Sequence, residues 1–149
     1  MGPRLGVIVV DHGSKREQSN QKLLEMVELF AAATAYEIVE PAHMELAAPS
    51  IADAFERCVQ RGAERVVVSP FFLLPGRHWL NDIPRLTAQA AARHPGVSYL
   101  VASPLGLHPL MAQVLHARIE QCLDHAAGEG PGCELCEGTD ACQLRAAAE

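Results

Sequence analysis

Three short polar segments each carry a side chain able to accept a proton or hold a metal ion: Asp11-His12-Gly13-Ser14, His43-Met44-Glu45 and Gly76-Arg77-His78-Trp79. Imidazole titrates near neutral pH and ligates borderline divalent ions, and a carboxylate beside it adds charge and a further acceptor. His12, His78 and Glu45 therefore make a loose donor set, suited to taking up protons or to holding a metal ion briefly. Gly13 and Ser14 precede a helical stretch and could form an anion nest, with Lys15, Arg16 and Arg77 as the nearest cations. A second group of ligand types closes the chain: Cys133, Cys136 and Cys142, with Cys122 upstream. Thiolates suit both zinc and iron–sulfur clusters, each of which normally takes four ligands.

Each of these residues also has a plainer reading. A single loop histidine is commonly solvated, Asp11 can serve as a turn or capping residue, and Glu45 can favour the positive end of the following helix. Cys122 falls on an apolar stripe, where burial competes with ligation, and Cys58 falls in a core stripe and reads as inert. His94 lies at a helix end before Pro95 and reads as structural, and His108, His116 and His125 read as a solvated face. What lifts the first group above these readings is where the fold must place it.

The elements follow from periodicity. Residues 5–10 are a β-branched run too short for a helix, a strand buried on both faces. From Glu17 the spacing turns helical, with Leu23, Leu24, Val27, Phe30 and Ala31 on one face. Residues 36–44 read as a second strand, and Ala48-Pro49-Ser50 starts a helix carrying Ile51, Ala54, Phe55, Cys58 and Val59, stopped at Gly62. Residues 65–69 form a third strand, 71–79 a long loop, 82–93 a helix and 99–102 a fourth strand. Residues 110–125 are a helix with Met111, Val114, Leu115, Ile119, Cys122 and Leu123 on one face. Such alternation implies an α/β fold: a single three-layer domain whose four-stranded parallel sheet is flanked by helices. Ligands of open parallel sheets bind beyond the carboxyl ends of the strands, where strand order reverses. The three polar segments all follow strands, so they converge on that rim. Residues 1–126 make this domain, and the breaker-rich run 128–132 opens a flexible cysteine-rich tail over 127–149.

Composition narrows the function classes. The chain has 149 residues, 49% of them hydrophobic, and a formal net charge of −6. That acidic balance argues against a broad electrostatic grip on nucleic acid or on an anionic membrane. No apolar run approaches the ~18–20 residues of a membrane span. Five cysteines, odd in number and unevenly placed, do not resemble a secreted disulfide framework and point to a reducing compartment. Neither phosphate-binding glycine fingerprint is present, nor is the serine-nucleophile elbow.

Taken together, Val10-Asp11-His12-Gly13-Ser14, residues 40–46 (Glu-Pro-Ala-His-Met-Glu-Leu) and residues 69–78 (Ser-Pro-Phe-Phe-Leu-Leu-Pro-Gly-Arg-His) resemble the short class II chelatases, the sirohydrochlorin cobalto- and ferrochelatases. The likeness runs from about residue 5 to residue 125 in order and spacing. It implies insertion of Fe²⁺ into sirohydrochlorin to form siroheme, with release of two protons and no nucleotide hydrolysis, by a homodimer. His12 and His78 would take up those protons or hold the metal, assisted by Glu45. Lys15, Arg16, Arg77 and the amides of Gly13 and Ser14 would meet the substrate's carboxylates. The tail resembles the C-terminal extension of plant-type sirohydrochlorin ferrochelatases, which implies a [2Fe-2S] or other iron–sulfur cluster on Cys133, Cys136 and Cys142. The fourth ligand would be Cys122 or a thiol of a partner chain. The same resemblance implies a chloroplast stromal protein in mature form, or otherwise a cytoplasmic one. The alternatives are a sirohydrochlorin cobaltochelatase of cobalamin synthesis, taking Co²⁺, and a non-catalytic metal carrier or redox sensor of the same fold.

Overall fold

A computed structural model describes residues 2–74, 76–139 and 141–144, without the side chains of Arg77, His78 and Trp79. Strands β1 (Leu5–Asp11), β2 (Ile38–His43), β3 (Arg65–Pro70) and β4 (Ser98–Val101) alternate with helices α1 (Glu17–Ala33), α2 (Ile51–Gln60), α3 (Arg77–Ala91) and α4 (Pro109–Ala127). The sheet is parallel, in the order β2-β1-β3-β4. β1 is central, and its five inner residues are buried, because neighbouring strands and both layers of side chains enclose it.

Alternation along the strands separates two apolar layers. Ile8, Val10, Val66 and Val68 point to α2 and α3, where Phe55, Ile51 and Ile83 are fully or almost fully buried. Val7 and Val9 point the other way, to Leu23 and Val27 of α1. Each large side chain so buried contributes roughly 1.5–3 kcal/mol. Gly6 marks the closest approach: a β-carbon there would lie 2.9 Å from Cβ of Cys58 and 3.0 Å from Cβ of Ala63, so α2 packs directly on the strand.

Helix α2 begins in a capping box. The Ser50 hydroxyl accepts from the amide of Asp53 at 3.1 Å, and the Asp53 carboxylate accepts from the amide of Ser50 at 2.9 Å. The Ser50 backbone and side-chain bonds hold the Asp53 carboxyl below its usual range. Its contribution is therefore present above the ordinary carboxylate range and lost as pH falls through the depressed folded value. Ser50→Ala is expected to cost about 1 kcal/mol, read as a lower urea midpoint with an unchanged slope.

Helix α3 starts earlier than periodicity indicates. It takes in Arg77, His78 and Trp79, which the sequence placed in a loop, and runs through Pro84. Proline in a helix interior cannot donate to the carbonyl four residues back, and that is why the helical signal is weak before it. The amide of Leu80 nevertheless donates to the carbonyl of Gly76 at 3.1 Å, which closes the first turn.

By contacts the chain divides into two compact units, Met1–Gly106 and Leu107–Glu149, so that α4 groups with the cysteine tail. The start of α4 is fixed by His108, whose Nδ1 accepts from the amide of Leu110 at 3.1 Å, and its end by Gly128 in the left-handed region. The apolar stripe read on α4 is present, and Val114, Leu115, Ile119 and Leu123 are each half or more exposed. Among the described residues no helix is long and apolar enough to cross a membrane.

Candidate functional site

The chain leaves β1 for β2 on one side and later returns to β3 on the other, so strand order reverses at β1. The residues at the carboxyl end of β1 therefore stand where this fold class holds ligands. Asp11 and His43 are register partners on the last rung between β1 and β2. The pairing continues past the strands, with the amide of Met44 donating to the carbonyl of Asp11 at 2.8 Å and that of Glu45 to the carbonyl of His12 at 3.0 Å. This continuation carries Glu45 to the side of His12.

The two side chains meet with His12 Nε2 2.9 Å from Glu45 Oε1. The other ring nitrogen, Nδ1, lies 3.0 Å from the carbonyl oxygen of Gly13. A carbonyl only accepts, so Nδ1 is the donor in that contact, and Nε2 faces the Glu45 carboxylate. Both side chains are about half exposed, so the pair adds only ~0–1 kcal/mol to stability and is open to a ligand. Leu46, next in the chain, has a φ of 67° and is exposed. The left-handed region is unfavourable for a leucine, and such strain is found where surroundings over-determine the backbone.

Around this pair the other expected site residues are distributed unevenly. Lys15 and Arg16 are exposed on the approach to α1. Gly13 has a φ of 90°, and a β-carbon there would collide with the carbonyl oxygen of Glu45. The Ser14 amide, expected to face an anion, is engaged instead: it donates to Oδ1 of the buried Asn20 at 3.0 Å, while Nδ2 of Asn20 donates back to the Ser14 carbonyl at 2.8 Å. The Ser14 hydroxyl accepts from the amide of Arg16 at 3.0 Å. Ser14 thus shapes the turn and offers no free amide, which corrects the nest reading at that residue. Arg77 and His78 are the first two residues of α3, and their side chains lie outside the described residues. The amide of Phe71 donates to the carbonyl of Val10 at 2.7 Å, tying the start of the β3–α3 connection to β1.

An apolar cavity of about 260 Å³ opens on the same rim, lined by Pro70, Phe72, Leu80, Pro84, Val101 and Ser103 among others. Sequence reasoning did not identify it, nor the Asp11–His43 contact, in which Nδ1 lies 2.6 Å from Oδ1. The signal available for the contact was positional: both residues end adjacent strands.

In the second unit Cys122, Cys133, Cys136 and Cys142 line one cavity of about 150 Å³. Amides of Leu135 and Cys136 donate to the Cys133 sulfur and lower its thiol, whereas partial burial and the hydrogen bond to Cys133 raise that of Cys136. Among the described residues no three histidine, cysteine or acidic side chains are placed to hold a single metal ion, so the thiols share a cavity without forming a finished ligand set. Cys58 differs, because burial, reinforced by Glu40, pushes its thiol up to about 12. All five cysteines are free. Titration of the metal-free protein with a disulfide reagent is expected to reach four thiols in the folded state, Cys133 before Cys136, with Cys58 reacting only on unfolding.

Comparison with known proteins gives consistent results. The CbiX family profile matches residues 6–122. The sirohydrochlorin ferrochelatase, chloroplastic, of Arabidopsis thaliana is 57% identical over 144 residues, which cover 97% of this chain and 64% of that protein. The chain thus spans less than two thirds of that relative's length. The structure of SirB from Bacillus subtilis with Fe³⁺ superposes with a TM-score of 0.73 at 28% identity, covering 78% of this chain and 46% of that one. A CbiX protein of cobalamin biosynthesis from Marinobacter aquaeolei, described as putative, superposes at 0.71 and 27% identity, covering 81% of this chain and 98% of that one.

Proposed function

This chain belongs to the CbiX family of class II chelatases, and on that premise we propose that it inserts Fe²⁺ into sirohydrochlorin to form siroheme, releasing two protons and hydrolysing no nucleotide. The observation that carries the reading is the His12–Glu45 pair at the strand-order reversal, together with 57% identity to a protein named for that reaction. We assign residues 1–126 to the chelatase domain and 127–149 to an appendage, a division supported by a family match that ends at residue 122.

The chemistry asks for bases on one face of a flat macrocycle. Two ring N–H groups must lose their protons as the metal enters, so each needs an acceptor within hydrogen-bond reach. His12 supplies Nε2 as the acceptor, and the Glu45 carboxylate beside it takes the proton on from the ring and passes it to solvent. His78, at the start of α3, supplies the other imidazole. Two imidazoles and one carboxylate hold a divalent ion loosely enough to give it up, as a transfer site requires. The apolar cavity beside α3 is large enough for one edge of the ring, and Lys15, Arg16, Arg77 and the amide of Gly13 suit its carboxylates.

Two further features complete the reading. The protein acts as a homodimer, for which the exposed stripe of α4 is the support, being a surface a second copy would cover. Cys122, Cys133, Cys136 and Cys142 hold an iron–sulfur cluster, for which the support is a donor set of four thiols on one cavity. Such a cluster supplies a one-electron centre, and the metal insertion itself does not pass through it. The chloroplast stroma is the compartment, by likeness to a relative named as chloroplastic.

The test is anaerobic metallation of excess sirohydrochlorin with Fe²⁺ and, separately, Co²⁺, followed by absorption. Many turnovers with Fe²⁺ are expected. A single equivalent of exchange, with no turnover, would make the protein a metal carrier, and turnover with Co²⁺ alone would make it a cobaltochelatase.

A further inference from the structure

Asp11 and His43 are the polar pair that the proposed chemistry does not use. The His43 side chain is 1% exposed and that of Asp11 23%, with Nδ1 of the ring 2.6 Å from Oδ1 of the carboxylate. Burying such groups is costly, and an aliphatic residue at the end of β2 would fill the space without that cost. A short, charge-assisted hydrogen bond offsets the penalty and fixes geometry in two directions. What it fixes is specific. Asp11 is the residue before His12, and His43 lies two before Glu45, so the bond joins the two backbones from which the rim pair projects.

The surroundings make this a rigid mount. The amide of His43 donates to the carbonyl of Pro49 at 2.8 Å, which anchors the end of β2 to the start of α2. A β-carbon on Gly13 would stand 3.1 Å from Cβ of His43, so His43 also forms the floor of the turn that carries His12. The strained backbone of Leu46 follows directly.

We propose that the Asp11–His43 hydrogen bond is a positioning device that holds His12 and Glu45 in register for metal insertion. The inference rests on the chelatase reading given above. His43 touches neither substrate nor metal; it acts through the two residues beside it.

The experiment compares wild type with His43→Leu and His43→Asn in steady-state metallation, with folding checked by circular dichroism. Leucine fills the space and removes the donor, whereas the asparagine amide restores a donor near the position of Nδ1. His43→Leu is expected to lower kcat by ~10- to 100-fold with KM for sirohydrochlorin nearly unchanged, as removal of an orienting partner typically does. His43→Asn is expected to recover most of that loss. Should His43→Leu not fold, Asp11→Ala removes the acceptor instead, and a kcat loss of the same order at constant KM is expected. A folded His43→Leu protein at the wild-type rate would overturn the inference and leave the chelatase reading standing, as would an Asn variant no faster than the Leu variant. If the Asp11→Ala variant has to serve as the test, a wild-type kcat for the folded variant overturns the inference equally. Failure of the wild type itself to insert metal would overturn the chelatase reading and this inference with it.

Discussion

His12→Ala is expected to fold as the wild type does and to insert metal at least ~100-fold more slowly, the contribution usual for a positioned proton acceptor. The folding half of this follows from the ring's surroundings. Its side chain is 44% exposed, and its polar contacts are the Gly13 carbonyl and the Glu45 carboxylate, with no core packing to lose. Surface substitutions of this kind change stability by about 0.5 kcal/mol or less. The rate half follows from position. Among the described side chains His12 is the half-exposed imidazole at the strand-order reversal, where His43, also paired with a carboxylate, is buried, and removing it takes away the acceptor beside Glu45. His78→Ala is expected to behave alike if it supplies the second imidazole, as proposed. Rates come from the absorption of the metallated product and stability from thermal melts. Wild-type rates in both folded variants would remove the histidines from the chemistry.

The order of strands and helices, and the meeting of the first two polar segments at the ends of β1 and β2, were legible because a buried parallel strand has a signature, a β-branched run ended by a turn. That signature is clear at residues 5–10 and 65–69. Boundaries were less legible where a residue type misleads. Pro84 delayed the apparent start of α3, so His78 looked like a loop residue when its backbone is helical. At Ser14 the sequence could not show that Asn20, one turn into α1, folds back and takes the amide. The Asp11–His43 contact stayed hidden for a different reason: it depends on strand register, which no single segment encodes. Leu46 carries no signal at all, since nothing about a leucine announces a left-handed backbone. The helical period of α4 was plain, but an amphipathic stripe does not say what covers it. In the tail the structure adds one placement that spacing does not give: Cys122 lines the same cavity as the three tail thiols.

Gly13→Ala is expected to lose roughly 2–5 kcal/mol of stability and almost all metal insertion, because two separate penalties fall on one residue. The first is conformational. Gly13 has a φ of 90°, which a residue with a β-carbon resists. The second is steric, and it involves backbone. The added carbon would overlap the carbonyl oxygen of Glu45, which cannot swing aside freely because the amides of Met44 and Glu45 are bonded to the carbonyls of Asp11 and His12. Relief would have to come from opening the rim, and opening the rim separates His12 from Glu45. A matched control isolates the two penalties. Gly106 has a φ of 53°, and a β-carbon there would meet only the carbonyl oxygen of Pro104 at 3.8 Å, an ordinary contact. Gly106→Ala therefore reports the dihedral cost alone, about 1 kcal/mol, with metal insertion retained. Chemical denaturation of both variants gives the difference. If Gly13→Ala is no less stable than Gly106→Ala and inserts metal normally, the turn and the Glu45 carbonyl are not in close approach. The close pairing of His12 with Glu45 would then lose its structural basis, since the same pair of backbone hydrogen bonds sets both.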